Sequence, residues 1–143
     1  MKNVWIGFLS FSMLMLNGRA SAQTTDWQQT SHWKIYKIHH SGSLRLPVDS
    51  LQSFKHIGLN KDTMHYYLQK MIAWSRGKTA VWLGAFIASY ERDQNPAKLD
   101  ISVYGGFIFD EYSKQYFELP EPYRAGWLEF LNRTMDRIET NDQ

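Results

Sequence analysis

Cysteine is missing from all 143 residues, so neither a disulfide framework nor thiolate chemistry is open to the chain. Proline is scarce at 4 residues, and no Pro-, Gly- or Ser-rich block marks a linker or a second domain. No serine lies in a Gly-x-Ser-x-Gly elbow, and no glycine loop opens a helix as a phosphate cradle does. Gly105-Gly106 runs into Phe107 and further strand-like sequence instead. Long apolar runs are lacking too. The longest, residues 4–16, covers 13 positions, whereas a bilayer-spanning helix needs about 20.

That short run sits between a basic start, Met1-Lys2-Asn3, and the small-residue stretch Ala20-Ser21-Ala22. The three parts together make the pattern of a cleavable export signal. The expectation is cleavage after Ala22, no membrane span in the product, and a periplasmic or extracellular location. An excess of one charge is then also missing. Of 16 Lys and Arg against 14 Asp and Glu, Lys2 and Arg19 fall within residues 1–22 and no acid does. The remainder is formally neutral, without the basic footprint that nucleic-acid binding requires.

What the chain has in quantity is aromatic surface, with 8 Phe, 8 Tyr and 6 Trp. Each ring can bury about 150–250 Å², which suits a small domain that has no cross-link to rely on. The organisation expected is a signal over residues 1–22, a flexible lead-in over 23–32, one α+β domain over 33–139 and a polar tail over 140–143.

Hydrophobic spacing fills in the elements. Residues 33–38 alternate as a strand, with Trp33 and Ile35 on one face and Tyr36 and Ile38 on the other. Leu44-Arg45-Leu46 is a short return strand ended by Pro47. Asp49 caps a short helix to about residue 55, and Asn60 caps a longer one to about residue 75, closed near Gly77. Residues 80–90 are apolar on both alternating sets, as in a strand covered on both faces. Residues 99–109 read as one strand with a bulge or a close backbone approach at Gly105-Gly106, followed by a turn and a return strand over 115–119. A final helix spans 122–139. These elements predict an antiparallel sheet of four to five strands with two main helices on one face. The 80–90 strand is expected to be central and the 115–119 strand at an edge.

Three sets of residues carry candidate chemistry. His32, His39 and His40 surround the first strand, but a metal site needs several converging ligands. Adjacent His39 and His40 would point to opposite faces, so the set reads more simply as turn histidines, and no cofactor is implied. Asp110, Glu111 and Glu118 surround the second hairpin. Paired carboxylates about 5–9.5 Å apart perform glycoside hydrolysis, if Asp110 and Glu118 face each other; the plainer reading is solvated turn residues. Tyr104, Gly105, Gly106, Phe107, Tyr112 and Tyr116 form the third set. Glycines can open a shallow trough and rings can line it for a sugar, peptide or protein, while half of the rings would serve as core.

These readings favour an exported, non-enzymatic binding protein, such as an inhibitor, an immunity-type protein or an envelope accessory module. Its partner would be a protein or small polar ligand of the cell envelope. A small periplasmic hydrolase using the hairpin acids is the alternative, and a subunit that assembles by strand pairing is a third.

Overall fold

The computed structural model describes residues 26–38, 46–74, 84–102 and 106–140. The expected signal, His39, His40, the return strand at 44 and 45, the Gly77 helix stop, Tyr104 and Gly105 all lie outside the described residues. Strands β1 (Thr30–Tyr36), β2 (His56–Gly58), β3 (Ile72–Ala73), β4 (Gly84–Arg92), β5 (Asn95–Ser102), β6 (Phe107–Asp110) and β7 (Gln115–Glu118) form one sheet. Its order is β2-β1-β4-β5-β6-β7-β3, and every pairing is antiparallel. Helices α1 (Lys61–Leu68) and α2 (Glu121–Thr140) complete the α+β architecture.

Alternation along the strands sends two residue sets to the two faces of the sheet. On one face Trp33, Ile35, Ala88, Tyr90, Leu99, Ile101, Ile108 and Phe117 meet Met64 and Leu68 of α1 and Trp127, Leu131 and Ile138 of α2. This is the main core. The opposite face holds a smaller cluster in which Tyr36 and Ile87 meet Leu51 of a 3₁₀ turn (Val48–Ser53), with Leu46, Val48 and Phe54 packed around it. Residues 86–90 are buried throughout, as the doubly apolar pattern of that strand predicts.

Several expectations change. The sheet has seven strands rather than four or five, because β2 and β3 are too short to show a period. The 99–109 segment is two strands, β5 and β6, paired with each other through Asp100 and Phe109; it is not one strand with a bulge. The 115–119 strand is interior, since β3 pairs along its outer side. Helix α1 does begin under an Asn60 cap, whose side chain accepts the Thr63 amide at 2.9 Å. It ends at Leu68, however, and Ile72–Ala73 turns into strand. The expected Asp49 cap is not made: the 3₁₀ turn starts at Val48 behind Pro47, with no side-chain capping bond.

The lead-in expected over 23–32 instead carries a 3₁₀ turn (Trp27–Gln29) and the start of β1. Trp27 enters the core, its ring edge-on to Tyr90 and Phe117 at 6.2 and 5.6 Å. A buried hydroxyl fixes this start. Thr30 Oγ1 donates to the Trp27 carbonyl at 2.5 Å and accepts from Trp33 Nε1 at 3.2 Å. Its only proton is thereby used, so His65 Nε2, at 3.1 Å, must be the protonated ring nitrogen and donate to it.

Candidate functional site

The sheet face opposite the helices is covered unevenly, and its outer half is where side chains remain open. Phe109 lies opposite Tyr116, Phe107 opposite Glu118, and Ile72 opposite Glu118. The Trp74 amide donates to the Tyr116 carbonyl at 2.9 Å, extending the β3 register by one residue pair. Pleat parity therefore gathers Ile72, Trp74, Phe107, Phe109 and Tyr116 on one patch. Ring centroids are 4.7 Å apart for Phe109 and Tyr116, 6.1 Å for Tyr116 and Trp74, and 5.3 Å for Trp74 and Phe107. Ile72 is 62% exposed and Tyr116 41% exposed. The rings are inclined to one another by 43°, 77° and 39° respectively, which makes the patch corrugated rather than flat.

Arg124 closes one end of this patch, its guanidinium 5.5 Å from the Phe107 ring. It donates to the Leu119 carbonyl at 2.7 Å, to Glu118 Oε1 at 2.9 Å and to Glu121 Oε1 at 2.5 Å. A Cβ on Gly106 would lie 3.0 Å from Arg124 Nε. The missing side chain of Gly106 thus makes room for this arginine. At Gly106 that space is occupied by the arginine.

Of the six residues predicted to bind, Phe107 and Tyr116 belong to the patch, and Gly106 is buried beneath Arg124. Tyr112 is 49% exposed at the β6–β7 hairpin tip, under the Arg92 guanidinium at 4.8 Å. Ile72 and Trp74 escaped the sequence reading because their spacing also fits a continued α1 stripe. Only the tertiary pairing with β7 distinguishes the two.

The hairpin acids are held apart. Asp110 pairs with Gln115, not with Glu118, and the two carboxylates point to opposite faces of the sheet. Asp110 is fully buried and accepts from Tyr90 Oη at 2.5 Å, Ser113 N at 3.1 Å and Ser113 Oγ at 2.6 Å. Its oxygens are engaged in closing the turn. Burial foremost, with Asp110 behind it, raises the Tyr90 phenol far above its ordinary value. Glu118 is committed to Arg124.

His32 projects from a bulge in β1, at a φ of 51°. Both Ser31 Oγ and Glu91 Oε2 approach its Nδ1, at 3.1 and 2.9 Å. Two partners on one ring nitrogen do not make a Ser-His-acid relay, which needs both nitrogens. Among the described residues no group of three or more His, Asp or Glu side chains is placed to hold a metal ion.

One polar cluster was not anticipated. Lys98 and Asp100, each 1% exposed, alternate with core residues along β5 and face the 3₁₀ turn (Val48–Ser53). Lys98 Nζ donates to the Leu46 carbonyl at 3.0 Å and lies 3.3 Å from Asp100 Oδ2 and 3.9 Å from Glu111 Oε2. Burial pushes the Asp100 carboxyl up to about 6; Lys98 pulls it down and Glu111 adds to the rise. The sequence signal was there, two opposite charges at i, i+2 in an otherwise apolar strand, but exposed strand faces carry the same pattern.

No helix among the described residues is long and apolar enough to cross a membrane. Compared with known proteins, the chain matches no family model, no curated protein and no solved structure.

Proposed function

We propose that this chain is an exported binding module that docks a partner protein on the Ile72, Trp74, Phe107, Phe109 and Tyr116 patch. The observation that carries the reading is the open half of the sheet face, where Ile72 is mostly exposed and Tyr116 partly so beside three further rings. Interfaces are enriched in Tyr, Trp and Phe at their centres, and a few such residues supply most of the binding energy. The mutual inclination of the rings favours a protein over a sugar. Sugar rings stack on flat aromatic faces, whereas a corrugated surface accepts interdigitating side chains. Export rests on the three-part pattern of residues 1–22. The separation of Asp110 from Glu118 removes the carboxylate pair expected across the hairpin, and the remaining hairpin acid, Glu111, stands with Asp100 around the Lys98 ammonium. The two-residue β3 offers little backbone for assembly by strand pairing.

The test is capture of envelope proteins on purified chain, comparing wild type with Ile72→Ser/Tyr116→Ser and with Glu129→Gln on the helix side. Far-ultraviolet circular dichroism verifies folding of each bait. A partner held by wild type and Glu129→Gln, and bound at least about tenfold more weakly by the double variant, supports the reading. A partner bound equally by all three, or none at all, overturns it.

A further inference from the structure

Lys98, Asp100 and Glu111 bring one ammonium and two carboxylates together beneath the 3₁₀ turn (Val48–Ser53), one negative charge in excess. Apart from the Lys98 contact, both Asp100 oxygens and Glu111 Oε2 are buried without a hydrogen bond. Buried polar atoms are seldom left this way. The 3.3 Å contact with Lys98 lies at the long end of hydrogen bonding and is what supplies Asp100 with an opposite charge. A single proton on the carboxyl removes the excess charge.

We propose that Lys98, Asp100 and Glu111 form a proton-operated clasp that holds residues 46–54 against the sheet more firmly at mildly acidic pH than at neutral pH. The covering segment is attached on this side by the Leu46 carbonyl on Lys98 and by the packing of Leu51 on Tyr36 and Ile87. Opening it hydrates the carboxylate, and the value of about 6 in the closed state returns toward 3.8. The closed state therefore binds a proton that the open state releases. That contribution to closure is present at low pH and is lost as pH rises through about 6.

The groups facing Asp100 from the neighbouring elements are consistent with one proton site. Ile87 of β4 and Phe109 of β6 lie directly opposite it. Ser89, opposite Lys98, is bonded to the Tyr36 hydroxyl at 2.9 Å. Glu111 is followed by Lys114 at 4.0 Å. From the covering segment comes the Leu46 carbonyl, while Asp49 is exposed and the Phe54 carbonyl at its far end meets His56 Nδ1 at 3.1 Å, so Asp100→Asn is the variant that assigns the proton.

Amide hydrogen exchange on the purified protein reads the clasp directly. The Ser50 and Phe54 amides donate to the Pro47 and Leu51 carbonyls within the covering segment, and Leu131 in α2 reports on the main core. After correction for intrinsic rates, protection at Ser50 and Phe54 is expected to rise about tenfold from pH 7.5 to pH 5, while Leu131, opened only by global unfolding that hydrates Asp100 as well, stays the better protected at every pH. Asp100→Asn should abolish the rise. Glu111→Gln retains Asp100 and should move the rise to lower pH, a shift that stays readable if Asp100→Asn fails to fold. Three results overturn the proposal: no pH dependence at Ser50 and Phe54, the same dependence in Asp100→Asn, or protection at Ser50 and Phe54 as strong as at Leu131.

Discussion

At the scale of single residues, Asp110 shows how a carboxylate suited to chemistry can be occupied by architecture. Its two oxygens receive a phenol, a serine hydroxyl and a backbone amide in a site without solvent. Asp110→Ala would leave the Tyr90 hydroxyl buried without an acceptor and the turn amide uncapped. A loss of about 2–4 kcal/mol in urea unfolding is expected, with a lowered midpoint and an unchanged slope. A much smaller loss would mean that water reaches Tyr90. The turn role of Asp110 was legible in the sequence, since Asp followed by Glu, Tyr, Ser and Lys reads as a hairpin tip. Its partner was not, because Tyr90 sits two strands away. Gly106 gives the same lesson: a glycine signals close approach, yet nothing local says that Arg124 is what approaches.

At the scale of elements, Gly126 in α2 faces Tyr67 of α1, and a Cβ there would stand 2.7 Å from the phenol oxygen. The Tyr67 ring cannot retreat freely, because it is packed on Trp127 and Phe130 at 5.1 and 6.3 Å. Helix propensity favours alanine over glycine by about 1 kcal/mol, so two effects of opposite sign meet at one position. Gly126→Ala alone is expected to destabilise by about 1 kcal/mol, with steric displacement outweighing propensity. In a Tyr67→Phe background the same substitution should stabilise by about 0.5–1 kcal/mol, since the nearest remaining ring atom is 3.7 Å away. A double-mutant cycle by thermal unfolding checks the reversal, and equal effects in both backgrounds would remove the steric account.

Elements with a long, clean period were the legible ones: β1, the doubly buried β4, and α2, which begins and ends within a residue of its expected limits. Those that depend on a partner were not. Met71, Ile72 and Trp74 continue the spacing of α1, but pairing with β7 takes Ile72 and Ala73 into the sheet. Short strands lack the length for a period to show, which is why β2 and β3 were missed. The candidate surface was half legible for the same reason. Phe107 and Tyr116 lie on strands that the sequence marks out, whereas Ile72 and Trp74 reach the patch only through the tertiary fold.

At the scale of the whole molecule, the two sheet faces differ in kind. One is sealed by two helices over a continuous aromatic and aliphatic core. The other is divided into a part covered by the 3₁₀ turn (Val48–Ser53) and the open aromatic part beyond it. Export, proposed from residues 1–22, has its own check. Mass spectrometry of the protein recovered from the envelope or the medium is expected to give a chain starting at Gln23, with Trp27 already in the core. A recovered chain that retains Met1, or that is confined to the cytoplasm, would overturn the processing step.

The strand order also dictates a sequence of events during folding. From β4 to β7 the sheet is a meander in which each strand pairs with the next along the chain, so those contacts close short loops at small entropic cost. The two flanks are different. β1 must reach across the chain to β4, and β3 must reach β7 from a position N-terminal to the whole meander. Contacts distant in sequence slow folding. The meander is therefore the natural nucleus, and the docking of β3 the late step. Because that step also delivers Ile72 and Trp74, the binding patch would be completed only when the rest of the sheet already stands.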